Sequence, residues 1–394
     1  MTVSGPTTET MIERWNSLAR SISTAEYSSD ARGELIVLGS GISFVDLTRD
    51  AEAEIRSADA VFHCVYDKVT QVWLGQMRPD GFDLRVLYGE NIDRHNTYVR
   101  MAEAMLHFVR MGKKVVAVFY GHPGVFAMPA HRAIHIARSE GHFAKMRPGI
   151  SALDYLVADI GFDPALPGFA SFEATDLLLR SRRVDPSLHV VIWQVGVVGE
   201  FQFQPEGFKN DGFELLVDYL TDIYGPSWKV THYIAPQYVG IEPLIVSFEL
   251  SQLLDPEIRN TISALSTFYI EPQQFGETDS EVSAKLGYSR RGMGIPKPFR
   301  VYDYTCYGQR EQAAVRGFAR FTAPSHYKLA PHSPEYEFMF DLSNDLKKQA
   351  NYRSDPVTTV RESQFQARSD RRVRLLTIPH PSAIDAALNG DPEP

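Results

Sequence analysis

Cysteine is nearly absent from this 394-residue sequence, with only Cys64 and Cys306 present. Two distant cysteines cannot build a disulfide framework or a paired-cysteine zinc site. Cys64 falls in the apolar run Val61-Phe62-His63-Cys64-Val65, which reads as a strand and makes it a small buried hydrophobe. Basic charge is also in deficit. Forty Lys+Arg face 49 Asp+Glu, a formal net charge of -9, which argues against a nucleic-acid partner held by electrostatics. Long hydrophobic runs are missing. The polar first thirty residues hold no signal-type segment, and nothing later approaches the roughly 20 apolar residues needed to span lipid. A cytoplasmic protein with no membrane partner is the expectation. No metal is expected: among the 12 histidines, His131 and His135 are spaced to meet on a helix but lack companion ligands. No internal repeat is evident.

The composition is rich enough in AVILMFWYC residues, at 44%, to form two cores of ordinary size. Residues 8–23 place Met11, Ile12, Trp15, Leu18, Ala19 and Ile22 at helical spacing, so residues 1–32 read as a helical arm. Strands are expected at 34–38, 60–65, 115–120 and 142–147. Helices at 51–59, 97–111 and 129–140 alternate with them, and one follows Ser151, whose side chain can cap it. This alternation predicts an open α/β sheet over 33–160. Residues 161–168, with two prolines and two glycines, read as the link to a second α/β unit over 161–275. That unit carries strand candidates at 189–195, 229–235 and 266–270, and helix candidates at 212–223 and 247–253. Residues 276–334 read as an irregular connector. The stretch 335–394 predicts one helix over Tyr336 to Tyr352 and another from Ser382 to Leu388, capped at Ser382.

Three places concentrate chemistry. After the first strand, Gly39-Ser40-Gly41 permits a tight turn, but Phe44 stands where the last glycine of a dinucleotide fingerprint belongs, and plain turn chemistry explains it equally well. After the strand ending near Phe119 comes Tyr120-Gly121-His122-Pro123-Gly124-Val125-Phe126. Its glycines let backbone approach a flat ligand, and its position beyond a strand's carboxyl end is where open α/β sheets bind. His122 can orient that backbone without acting as a base. The third place is Tyr88, Arg94 and Tyr98. Arg94 and Tyr98 share one face of a helix beginning near Asp93, although aromatic packing beside a surface arginine has the same spacing.

Resemblance narrows these readings. The opening strand and turn, the Tyr-Gly-His-Pro-Gly loop, Pro148-Gly149-Ile150-Ser151-Ala152 and Trp193-Gln194-Val195-Gly196 resemble the SAM-binding half of the tetrapyrrole methylase superfamily. Arg94-His95-Asn96-Thr97-Tyr98, Met146 through Ala152, and Ser266-Thr267-Phe268-Tyr269-Ile270 resemble the omphalotin-type borosin peptide α-N-methyltransferases. The likeness is strong over about 33–275 and weaker over 335–392. It implies a two-domain α/β SAM-binding fold of tetrapyrrole-methylase type, followed by a clasp-like connector and short precursor-binding helices.

The resemblance also implies chemistry. S-adenosylmethionine is the expected cofactor, with S-adenosylhomocysteine as product. Its binding residues would be Gly39, Gly41, Tyr120, Gly121, His122, Pro123, Val125, Phe126, Ser151, Ala152, Gln194, Val195 and Gly196. The expected reaction is iterative methylation of backbone amides in a ribosomal precursor peptide. Tyr98 would receive the amide proton, Arg94 would favour the phenolate and stabilise developing charge, and Tyr88 would orient the substrate or assist proton transfer. Tyr120 would stand beside the methyl donor. An interlocked homodimer is implied too. Fused borosins continue into an apolar core peptide, whereas this sequence ends at Pro394, so a separately supplied or removed peptide is the expectation. Two alternatives stay open: a tetrapyrrole (precorrin-like) C-methyltransferase, and a non-catalytic SAM-responsive peptide-binding or assembly protein.

Overall fold

Five strands account for the first buried layer, and their sequences explain why it is buried on both faces. In the computed structural model, which describes residues 7–89, 92–202, 207–274, 279–287, 307–325, 333–363 and 369–389, helix α1 (Thr8–Thr24) precedes β1 (Glu34–Gly39). There follow α2 (Ala51–Ser57), β2 (Ala60–Cys64), α3 (Lys68–Met77), β3 (Phe82–Asp83), α4 (Arg94–Arg110), β4 (Lys114–Phe119), α5 (Met128–Ser139) and β5 (Phe143–Met146). The sheet order is β3-β2-β4-β1-β5, with every pair parallel. Along β1, Leu35 and Val37 face one core with α4 and α5, while Ile36 and Leu38 face the other with α2 and α3. That period-two division is why its continuous apolar run suits a central strand.

The first core is extended by α1, which inserts Trp15 and Leu18. Trp15 meets Phe82 edge-on at 5.4 Å, and Arg14 donates to the carbonyls of Pro79 and Gly81. Helix α4 starts where Asp93 accepts from the His95 amide. It ends as the chain turns left-handed at Gly112, with φ of 76°.

A second layer begins with α6 (Ala152–Ile160), whose first turn is closed by reciprocal bonds between Ser151 and Asp154. Across residues 161–168 the chain enters β6 (Phe169–Glu173), α7 (Ala174–Leu179), β7 (His189–Trp193), α8 (Phe213–Tyr224) and β8 (Lys229–Ile234). It continues through β9 (Leu244–Glu249), α9 (Pro256–Arg259), β10 (Thr267–Ile270) and α10 (Ser280–Lys285). The order is β6-β7-β10-β8-β9; β6 and β7 run parallel and the other pairs antiparallel. Leu156 of α6 packs on one face with Val191 and Tyr233, and α8 covers the other.

The helix expected over 247–253 is a correction. Residues through Glu249 belong to β9, and only Leu250–Gln252 coil, as one 3-10 turn. Leu244-Ile245-Val246-Ser247-Phe248 is a β-branched and aromatic run, and its six-residue pairing with β8 overrides a weak helical period.

The chain divides into two compact units, Met1–Tyr302 and Asp303–Pro394. The second contains α11 (Gln309–Gly317), α12 (Pro334–Asn344), α13 (Leu346–Ser354), α14 (Pro356–Glu362), α15 (Asp370–Leu376) and α16 (Pro381–Asn389). Phe338, Leu342, Val360, Leu376 and Ala387 gather into its core. The single helix expected from Tyr336 to Tyr352 is broken, because Asp345 leaves helical geometry and caps α13 by accepting from the Lys348 amide. Ser382 is no cap: it lies inside α16, which starts at Pro381. The expected irregular stretch holds α10 and α11, while residues 288–306, including Cys306, and 326–332 lie outside the described residues. Among the described residues no helix is long and apolar enough to cross a membrane.

Candidate active site

The ends of β1, β2 and β4 reach one edge of the first sheet together, since Gly39 and Cys64 both stand opposite Phe119. Just beyond, Gly41 and Gly121 exchange backbone hydrogen bonds of 3.3 and 2.9 Å, and the Tyr120 amide donates to the Cys64 carbonyl. This junction tolerates no side chain. A Cβ on Gly39 would lie 2.3 Å from the Gly121 carbonyl oxygen, and Gly121 itself has φ of +68°. Above it opens a cavity of about 410 Å³, lined largely by apolar and aromatic side chains.

The cavity brings together most of the residues singled out from sequence. Tyr88, Arg94, Tyr98, Tyr120, Gly121, His122, Val125, Phe126, Ser151, Ala152 and Gln194 all line it. Gly39, Gly41, Pro123, Val195 and Gly196 do not. They stand behind the wall, where close packing demands small or rigid residues. Gly149 approaches Gly39 and Pro123 there, and a Cβ on Gly196 would lie 2.0 Å from the Ser263 carbonyl oxygen. Phe126 and Gln194 line the cavity with φ of 52° and 59°, a left-handed conformation that costs a non-glycine residue free energy. His122 orients the loop: its Nδ1 accepts from the Gly124 amide at 3.0 Å.

Arg94 opens α4, and its amide donates to the Phe201 carbonyl at 3.2 Å, so this first turn is docked onto the second layer. Its guanidinium lies over the Phe208 ring at 5.2 Å. One turn along, Tyr98 meets Tyr88 edge-on with centroids 6.4 Å apart. Burial, followed by the nearby Tyr98 phenol, pushes Tyr88 far above the ordinary tyrosine range. Tyr88 is therefore held protonated, a donor rather than a base. Burial also pushes Tyr120 up to about 12, opposed by the Gln237 amide that donates to its hydroxyl at 3.3 Å.

Several wall residues escaped the sequence reading. Tyr66 packs edge-on against Tyr120 at 5.7 Å; its place just after β2, at the same sheet edge, was the available signal. Phe208, Tyr233, Gln237 and Ser266 also line the cavity. Tyr233 donates to Asp159 at 2.6 Å, and the Ser266 hydroxyl is 2.7 Å from His232 Nε2. Phe208, Tyr233 and Gln237 come from loops and strands remote in sequence, where no local pattern marks them, whereas Ser266 opens the Ser266-Thr267-Phe268-Tyr269-Ile270 stretch, which marked the family without giving Ser266 a place in the site. Asp46 ties the two layers together, accepting from the Ile42 and Ser43 amides and from the Tyr155 hydroxyl, each at 2.9 Å. Among the described residues no group of three or more His, Cys, Asp or Glu is placed to hold a metal. Glu90 and Asn91, within the stretch that carries Tyr88 and Arg94, lie outside the described residues.

Residues 34–215 match the sequence profile of the tetrapyrrole (corrin/porphyrin) methylases. Among solved structures, uroporphyrin-III-C-methyltransferase from Thermus thermophilus aligns at 16% identity with a TM-score of 0.43, covering 61% of this chain and 93% of its own. Sequence relatives are much nearer. The methyltransferase/ribosomally synthesized type III borosin cyclic peptide precursor of Anomoporia bombycina is 38% identical over 89% of this chain, which spans 44% of that relative's length. The methyltransferase/ribosomally synthesized cyclic peptide dendrothelin A precursor of Dendrothele bispora is 39% identical over 82% of this chain and 80% of its own. With identity at that level running across both α/β layers, this chain belongs to the borosin methyltransferases, within the tetrapyrrole methylase superfamily.

Proposed function

We propose that this protein is a SAM-dependent peptide α-N-methyltransferase that methylates successive backbone amide nitrogens of a ribosomal precursor peptide. The observation that carries the reading is the placement of Arg94 and Tyr98 one turn apart at the start of α4, lining the cavity into which Gly121, Ser151 and Gln194 also open. The site fits the cofactor. The close approach of Gly39, Gly121 and Gly149 leaves backbone exposed to a flat ligand where three parallel strands end. Tyr120, Gly121, His122, Val125, Phe126, Ser151, Ala152 and Gln194 would hold S-adenosylmethionine; Gly39, Gly41, Pro123, Val195 and Gly196 would shape the wall behind them. When bound, the cofactor supplies an electrophilic methyl group and leaves as S-adenosylhomocysteine.

The chain must overcome the poor nucleophilicity of an amide, whose nitrogen lone pair is delocalised into the carbonyl. Tyr98, as its phenolate, receives the amide proton and becomes a neutral phenol. Arg94, steadied on Phe208, places a permanent positive charge where negative charge develops on the amide. Tyr88, which resists ionisation and meets Tyr98 edge-on, keeps a neutral phenol beside it to orient the substrate. Tyr120 shapes the wall on the donor side.

A precorrin-like substrate is disfavoured by charge. Arg94 is the sole Arg or Lys lining the cavity among the described residues, a poor match for a macrocycle bearing many carboxylates. The family resemblance further supports an interlocked cytoplasmic homodimer, with residues 276–334 clasping the partner and 335–394 holding the precursor; light scattering of the purified protein tests that assembly. The reaction is tested by incubating the protein and S-adenosylmethionine with apolar synthetic peptides, both free and fused to its carboxyl terminus, followed by fragmentation mass spectrometry. Gains of about 14 Da localised to the backbone are expected for each transferred methyl. Gains confined to side chains reject the assignment.

A further inference from the structure

A second cavity, about 690 Å³, adjoins the first and shares Arg94, Tyr98, Phe126, Gln194 and Val197 with it. The proposed reacting groups thus stand at the junction of an inner chamber and an outer one. Four carboxylates line the outer chamber: Asp93, Glu173, Asp176 and Glu200. Asp176 pairs with both Arg180 and Arg182, at 2.6 and 2.5 Å, so that cluster adds no negative charge to the chamber. The other three have no cationic partner among the described residues. Each is instead fixed by a backbone amide: Asp93 accepts from His95 at 2.7 Å, Glu173 from Asp176 at 2.6 Å and Glu200 from Asn210 at 3.2 Å. Their negative charges are held in place beside the exposed apolar side chains of Leu179 and Phe201.

We infer that this outer chamber is an acidic vestibule that discriminates against peptide segments bearing carboxylates and tolerates basic side chains. The inference rests on the peptide reading above and names the substrate class for the same site. A glutamate or aspartate entering the vestibule meets three fixed charges of its own sign. The two arginines of the lining are Arg180, engaged by Asp176, and Arg94, which such a carboxylate would occupy and divert from the amide. A lysine meets attraction at the rim, and an apolar residue meets Leu179 and Phe201. Low-dielectric walls concentrate such fields.

The test uses three short peptides of valine, isoleucine and glycine that differ at one internal position, Gln, Glu or Lys. Binding to the protein saturated with S-adenosylhomocysteine is read by fluorescence anisotropy, and methylation by mass spectrometry. At low salt the Glu peptide should bind about tenfold more weakly than the Gln peptide, the lower end of field focusing in a charged cleft, and the gap should narrow as salt screens it. The triple variant Asp93→Asn/Glu173→Gln/Glu200→Gln keeps an acceptor oxygen at every position and should lose the discrimination. Equal binding of the Glu and Gln peptides to the unmodified protein overturns the inference. So does unchanged discrimination in the triple variant, or no measurable binding by any of the three peptides. Methylation without discrimination leaves the peptide reading standing alone. Discrimination without methylation supports the vestibule while rejecting the reaction.

Discussion

The Arg94 guanidinium lies 5.2 Å from the centre of the Phe208 ring, so a side chain from the second layer steadies a charge presented by the first. Phe208→Leu keeps much of the volume and removes the π face. A cation–π contact of about 0.5–1 kcal/mol predicts a fall in kcat of roughly two- to fivefold with the Kd for S-adenosylmethionine unchanged. Steady-state kinetics together with calorimetry separates the two quantities. An unchanged kcat would show that Phe208 is packing alone.

Tyr98→Phe and Tyr88→Phe should differ in severity. Removing the group that takes the proton costs general-base catalysis, about 10² to 10⁴ in kcat. Tyr88→Phe removes one neutral hydroxyl donor from the cavity wall, a net effect of about 1 kcal/mol and a fall of roughly fivefold. Both variants should retain cofactor binding by calorimetry. Equal losses, or a larger loss in Tyr88→Phe, would reverse the assignment of roles.

Relationships between residues adjacent in sequence, or one helical turn apart, are legible in the sequence alone. Arg94 and Tyr98 could be placed on a single helix face from their spacing, and Ser151 could be named as a cap from its position before an apolar run. The loop from Tyr120 to Phe126 announced itself by following a strand. What could not be read was whatever depends on chain returning from far away. Phe208 reaches the cavity from the chain between β7 and α8, and Gln237 from the chain just after β8; neither placement leaves a local signature. The break at Asp345 was hidden for another reason: the apolar period runs straight through it, and only the competing side-chain bond to the Lys348 amide ends the helix.

Glycine at position 39 is a packing requirement with a measurable cost. The Cβ of Gly39→Ala would lie 2.3 Å from the Gly121 carbonyl oxygen and 2.8 Å from Pro123 Cδ, so the backbone beneath the cavity must part. Overpacking of this kind costs about 1–3 kcal/mol, which for a domain of this size lowers Tm by roughly 2–10 °C. Affinity for S-adenosylmethionine should fall with it, because Gly121 lines the cavity. A variant with native Tm and affinity would remove Gly39 from the account of the site.

His232 makes stability depend on pH in a predictable direction. It is 1% exposed, its Nε2 is 2.7 Å from the Ser266 hydroxyl, and burial lowers its pKa to about 4. An unfolded histidine takes its proton near 6.5, so between about pH 6.5 and 4 the unfolded chain binds more protons than the folded one. Stability therefore falls as pH drops through that window, and this contribution levels off below it. A shift of this size corresponds to at most about 3 kcal/mol. His63, His107, His142 and His189 are shifted in the same direction by burial, which means the whole profile slopes and only a difference isolates one residue. Urea denaturation of the unmodified protein and His232→Gln at several pH values supplies that difference. The variant should start less stable at pH 7.5 and lose less on acidification. Parallel pH profiles for the two proteins would mean that His232 titrates normally in the fold.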